Sequence, residues 1–143
     1  MEEVLRAKLL GTASVAAIVG TRVDWGIRPQ GKPLPAIVLE LASGVPGMTY
    51  AGPDGWSRSR VQIEHWGRTF KEAKDLADLV GGENGVLTGW RETVGGFRMR
   101  TFIMARRSDT DTLPSTLGGS DAGGPVHRTS LDALVWHARA ITE

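Results

Sequence analysis

The chain has 143 residues, a formal net charge of +1 and no cysteine. That length suits one domain with a real core, and the missing thiols exclude a disulfide framework and any thiolate metal site. The near-neutral charge gives no bulk attraction for nucleic acid, and no apolar run approaches the roughly 18–20 residues of a membrane helix.

Residues 2–19 read as two short helices. Val4, Leu5 and Leu9 form the stripe of the first, and Gly11 is placed to end it in the left-handed conformation. Ala13 to Val19 is the second, capped by Thr12 or Ser14 and stopped by Gly20. Glu2 and Glu3 stand where a signal peptide would be basic. Thr21 to Pro35 reads as a surface connector, because Gly26, Pro29, Gly31, Pro33 and Pro35 resist regular structure.

Ala36 to Ala42 is the first predicted strand. Ser43 to Trp56, rich in Gly and Pro, reads as a flexible hairpin loop. Arg58 to Trp66 is the second strand. Thr69 to Val80 is the clearest helix, with a Thr69–Glu72 capping box and an apolar side of Phe70, Ala73, Leu76, Ala77 and Val80. Phe97 to Arg107 is the third strand, and Val126 to Ala138 the fourth. The segment 108–124 between them, made of Ser, Thr, Asp, Gly and Pro, reads as a second flexible loop. The expectation is therefore a single α+β domain over 1–143. It has an antiparallel four-stranded sheet in α-β-β-α-β-β order and helices packed on one face.

Strand parity assigns the two faces. Ile37, Leu39, Leu41, Val61, Ile63, Phe97, Met99, Ile103, Leu131, Ala133 and Val135 fall on the core side. The other side carries Arg58, Arg60, Gln62, Glu64 and Trp66, then Arg98, Arg100, Phe102, Met104 and Arg106, then Arg128, Asp132, Leu134 and Trp136. This mixture of Arg, Trp, Phe and Met is what partner interfaces contain, and it leaves many apolar groups for a solvated face. Arg58, Arg60, Trp66, Arg98, Arg100, Phe102 and Trp136 are the candidate interface residues. Pairing with acids of a neighbouring subunit or partner is favoured over contact with phosphates.

Nothing in the sequence assembles a catalytic, cofactor or metal site. His65, His127 and His137 lack ligand-spaced neighbours, and parity puts His65 and His137 under the helices as satisfied, partly buried side chains. No G-x-S-x-G elbow occurs, and Asp109 and Asp111 lack the Gly and Glu of a calcium loop. The glycine pairs 81–82, 95–96, 118–119 and 123–124 do not open helices after strands, so they read as turns.

The order of four segments carries a family resemblance. They are LLGTASVAAIVGTRV, then RPQGKPLPAIVLEL, then VQIEHWGRTFKEAKDLADLV, and last HRTSLDALVWHA. Together they resemble the tail-completion proteins of long-tailed phages, the small domains grouped as DUF3168. The pattern is also similar in architecture to the tail terminators and related neck proteins of siphophages and of phage-like gene transfer agents. The resemblance spans about residues 2–138 and brings no catalytic residues. It implies a virion structural protein in the tail or neck of a phage-like particle, assembled in the bacterial cytoplasm. Such a protein forms a ring, usually a hexamer, on the head-proximal end of the tail tube. It ends tube polymerisation and joins the tail tube to the head–tail connector, with DNA passing through its channel without sequence-specific binding. A head–tail connector of similar fold is the alternative within the same machinery. A small nucleic-acid-binding or ligand-binding α+β domain is the alternative outside it.

Overall fold

The computed structural model describes residues 1–27, 33–112 and 125–139. Elements follow in the order α1 (Glu2–Leu10), α2 (Ala13–Val19), β1 (Val23–Trp25), β2 (Ala36–Thr49), β3 (Gly52–Gly67), α3 (Phe70–Gly81), β4 (Arg91–Val94), β5 (Phe97–Thr112) and β6 (Pro125–Arg139). The strands form one six-stranded sheet in the order β1-β2-β3-β6-β5-β4. β1 runs parallel to β2, and every other pair is antiparallel.

This corrects the expected four-stranded antiparallel sheet. The two additional strands are the edges, and both are too short or too polar to show alternation. β1 is the tripeptide VDW inside the expected connector, of which residues 28–32 lie outside the described residues. β4 is the exposed tetrapeptide RETV. It pairs with β5 through the Gly95-Gly96 turn, where φ is 59° and 79°. Positive φ at both positions suits a two-residue hairpin, and glycine takes it without strain.

The four expected strands are also longer than read. β2 and β3 remain paired through most of the supposed 43–56 loop, closing only at Tyr50 and Ala51. Both faces of this ribbon are largely exposed, so its sequence has no burial pattern to display. β5 likewise continues through Ser108–Thr112, and residues 113–124 lie outside the described residues.

Two irregularities decide which side chains share a face. The β2–β3 register shifts between Leu41 and Ser43, after which Val45 stands opposite Arg58. The β5–β6 register shifts between Ile103 and Ala105, after which Arg106 stands opposite Leu131. An inserted residue reverses the parity of everything beyond it. Arg106, expected on the outer face, therefore points to the helix side and binds the Asp78 carboxylate of α3 at 2.6 Å. Leu41, expected in the core, is 46% exposed.

The core is otherwise where parity put it. Ile37, Leu39, Val61, Ile63, Met99, Leu131, Ala133 and Val135 are buried with Leu5, Leu9, Val15, Val19, Leu76 and Val80 from the three helices. Each such aliphatic side chain contributes about 1.5–3 kcal/mol when fully buried. Phe97 and Ile103 only border this core, and Phe70 is exposed.

The sheet is curled, as α1 reveals by touching both of its edges. Arg6 Nε donates to the Val23 carbonyl of β1 at 2.7 Å, and Trp25 Nε1 donates to the Glu2 carbonyl at 3.1 Å. Two residues further along, Lys8 Nζ lies 3.6 Å from the Glu92 carboxylate of β4 and 5.3 Å from the Trp90 ring centroid. A helix about 14 Å long reaches two edge strands only if the sheet wraps around it. Closure of this kind also shields edge strands that would otherwise offer unpaired backbone.

The helix ends follow the expected local signals only in part. Gly11 has φ −79°, so it continues right-handed and does not end α1 in the left-handed region. Thr12 is the N-cap of α2 but makes no side-chain cap bond; its hydroxyl donates to the Lys8 carbonyl. At α3, Thr69 Oγ1 accepts from the Glu72 N–H at 3.1 Å, while the Glu72 carboxylate turns to the Arg68 N–H. Thr69→Ala is expected to cost about 1 kcal/mol of unfolding free energy in urea titration. A loss indistinguishable from zero would show the cap to be dispensable.

Candidate interface on the outer sheet face

The convex face opposite the helices is built from even positions of β3 and β6 and from the first half of β5. Cross-strand register arranges it in rows. Arg58 stands opposite Trp136, and Trp136 opposite Arg100. In the next row Arg60 stands opposite Leu134, and Leu134 opposite Phe102.

Arg58, Arg98, Arg100, Phe102 and Trp136 gather around Trp56. The Arg98 guanidinium lies 4.7 Å from the Trp56 centroid, and that of Arg100 lies 5.4 Å from it. Arg58 lies 5.2 Å from the Trp136 centroid, and the two indoles meet edge to face at 6.5 Å. Trp56, Arg98, Arg100, Phe102 and Trp136 line an open groove of about 480 Å³. Arg98 Nε is buried there with no hydrogen-bond partner. Among the described residues no carboxylate forms an ion pair with Arg58, Arg98 or Arg100. The rings take that place, at about 0.5–1 kcal/mol for each exposed cation–π contact.

The other two candidate residues have different surroundings. Arg60 binds Asp132 Oδ2 at 3.1 Å, and Arg107 binds the same oxygen at 2.9 Å. Burial works to raise the Asp132 pKa, but hydrogen bonds from Arg107 and Arg60 outweigh it and hold the carboxyl below its usual value. A buried carboxylate needs these partners, so Arg60 is committed within the chain. Trp66 lies eight residues along β3 from Arg58, about 27 Å away at the rise of a strand. Its Nε1 donates to Glu64, and Arg128 lies 5.3 Å from its ring. Arg128 is also held by Asp109 at 2.6 Å.

Trp56 is the residue that sequence reading missed. It sits inside the segment taken as a loop, where parity assigns no face. Its spacing of two from Arg58 was the available signal, because extending the strand by two residues puts both on one side.

Among the described residues the remaining polar groups do not converge on a reactive centre. His65 is fully buried; its Nδ1 donates to the Thr129 carbonyl at 2.8 Å, and its Nε2 has no partner. His137 is half-buried and lies 3.0 Å from Ser59 Oγ. A second cleft, about 460 Å³, lies between α1 and β4 and is lined by Val4, Ala7, Lys8, Trp90 and Val94 among others. Among the described residues no group of three His, Asp or Glu side chains is placed to hold a metal ion, and no helix is long and apolar enough to cross a membrane.

A curled sheet with helices inside it and arginine and indole rings outside it fits a protein that assembles with others. The fold matches a chain in the solved virion of a native gene transfer agent particle, with a TM-score of 0.57 and 21% identity. The match covers 94% of this chain and 92% of that one. No curated protein matches the sequence. Residues 3–117 match the family described as tail completion protein gp17. The chain belongs to that family and is a structural protein of a phage-like tail, whose place among the other tail and head proteins requires contact with them.

Proposed function

We propose that the protein forms a ring at the head-proximal end of the tail, ends polymerisation of the tail tube and joins it to the head connector. The observation that carries this reading is the outer-face patch. Among the described residues Arg58, Arg98 and Arg100 are paired only with rings, and Phe102 beside them is 48% exposed. A closed ring uses head-to-tail contacts, so one surface of each subunit must match a different surface of the next. The patch supplies one such surface. The β2–β3 ribbon, which exposes Met48 and Tyr50 past the last β3–β6 pair at Ser57, supplies an arm for the tube or the connector. Family membership supports a role in tail completion.

Negative-stain electron microscopy of the purified protein mixed with the tail-tube protein encoded beside it tests the proposal. Rings capping one end of tubes of limited length are expected. Unmodified tubes beside free monomers would reject the terminator role and favour a connector of the neck.

A further inference from the structure

We propose that the groove between Trp56 and Trp136 is a carboxylate-binding cleft that receives an acidic segment of a neighbouring tail protein, a partner assignment that rests on reading the outer face as an assembly surface. Arg98 and Arg100 clamp the carboxylate, and Trp56, Phe102 and Trp136 pack against the apolar part of the segment.

Charge accounting over the face points to this ligand. Arg60 and Arg107 are taken by Asp132, and Arg128 by Asp109 and Glu64. Among the described residues the guanidiniums of Arg58, Arg98 and Arg100 lie against rings and form no ion pair, and two of them line the groove. Positive charge gathered without an internal counter-charge is complementary to an acidic surface. The buried Nε–H of Arg98 is a second, separate indication. A buried donor without an acceptor is costly, and an oxygen supplied from outside removes that cost. A guanidinium lying over an indole keeps its N–H edge free, which suits the planar, two-bond geometry of a carboxylate.

Protein is favoured over DNA as the source of the negative charge. The groove is lined by Trp56, Phe102 and Trp136 as well as by its two arginines, which suits an acidic residue with apolar neighbours. Duplex binding draws its strength from many phosphate contacts, and a chain of net charge +1 whose Arg60, Arg107 and Arg128 are already paired with carboxylates offers few.

Nuclear magnetic resonance titration of the whole protein tests the cleft, following the indole N–H signals of Trp56 and Trp136 and the Nε–H of Arg98. The probes are hexaglutamate, hexaglutamine and a short double-stranded DNA. Hexaglutamate is expected to shift these signals to saturation, and hexaglutamine to leave them in place. The Arg98→Gln/Arg100→Gln protein should bind hexaglutamate about tenfold more weakly, the loss of roughly one charge-assisted pair. If that variant does not keep the wild-type amide spectrum, Arg98→Lys/Arg100→Lys replaces it, since lysine keeps the charge and loses the fork. Signals unmoved by hexaglutamate, or moved by DNA at lower concentration, would overturn the cleft. Failure of the assembly reading shows separately, as normal tube capping by the glutamine variant while the wild type still binds hexaglutamate.

Discussion

Exchanging Arg98 and Arg100 together for glutamate is expected to abolish capping of tail tubes while leaving a protein that still unfolds cooperatively. Among the described residues the two arginines give up their contacts with the Trp56 ring, about 1–2 kcal/mol in all. That is small against the 5–15 kcal/mol of a typical domain, and removal of the unpartnered Arg98 Nε offsets part of it. Across an assembled contact the same exchange sets like charges against each other, which costs several kcal/mol per contact. In a ring the penalty recurs at every interface. Electron microscopy of tube mixtures and thermal denaturation, run on the same preparation, separate the two effects. Capped tubes of normal length from the double variant would remove this patch from the assembly surface. A non-cooperative melt would show instead that the arginines are needed to fold.

The second large effect is on stability in acid, and it comes from His65. Burial is the main cause that lowers its pKa to about 4; the hydrogen bond to the Thr129 carbonyl works the other way, and the Arg106 charge adds to the lowering. In the unfolded chain the imidazole titrates near 6.5. Between these values the unfolded chain binds a proton that the folded protein refuses. Stability from this group is therefore full above about pH 6.5 and is lost as the pH falls toward 4. The difference amounts to about 3 kcal/mol. His137, also held below its ordinary value chiefly by burial, adds a loss of the same sign as the pH falls below its ordinary value. Asp78 and Asp132 have lowered carboxyl pKa values, so their contributions are lost only below the ordinary carboxylate range. Urea titrations at a series of pH values should show the loss in the wild type, and His65→Leu should remove most of the slope. An undiminished slope in that variant would transfer the effect to other groups.

The placement of His65 was legible because it rests on parity within an uninterrupted strand. Its odd position matches Val61 and Ile63, and all three are buried. The candidate interface was legible for the same reason up to the first irregularity. Arg58, Arg98, Arg100, Phe102 and Trp136 share one region of the outer face, as alternation implied. Trp66 shares the face but lies far along it, because parity fixes the side of a strand and not the distance along it. Arg60 was correctly placed outward, but its partner Asp132 comes from a strand more than seventy positions away in the chain. No local pattern reports that pairing.

What the sequence by itself determined is the set of segments that bury one face. Apolar residues at every second position of β3 and β6 and at helical spacing in α1 and α3 must leave water together, so the hydrophobic effect writes them into the chain. The family was legible in the order of those same segments. The tertiary structure alone decided the rest. β1 and β4 are strands because a neighbour offers backbone hydrogen bonds, a force indifferent to side chain and so invisible in VDW or RETV. The ribbon from Ser43 to Trp56 holds its ladder in the same way through glycines and prolines. The register shifts after Leu41 and Ile103 moved Val45 outward and Arg106 inward. The curl that lets α1 span both edges exists only once all six strands are joined.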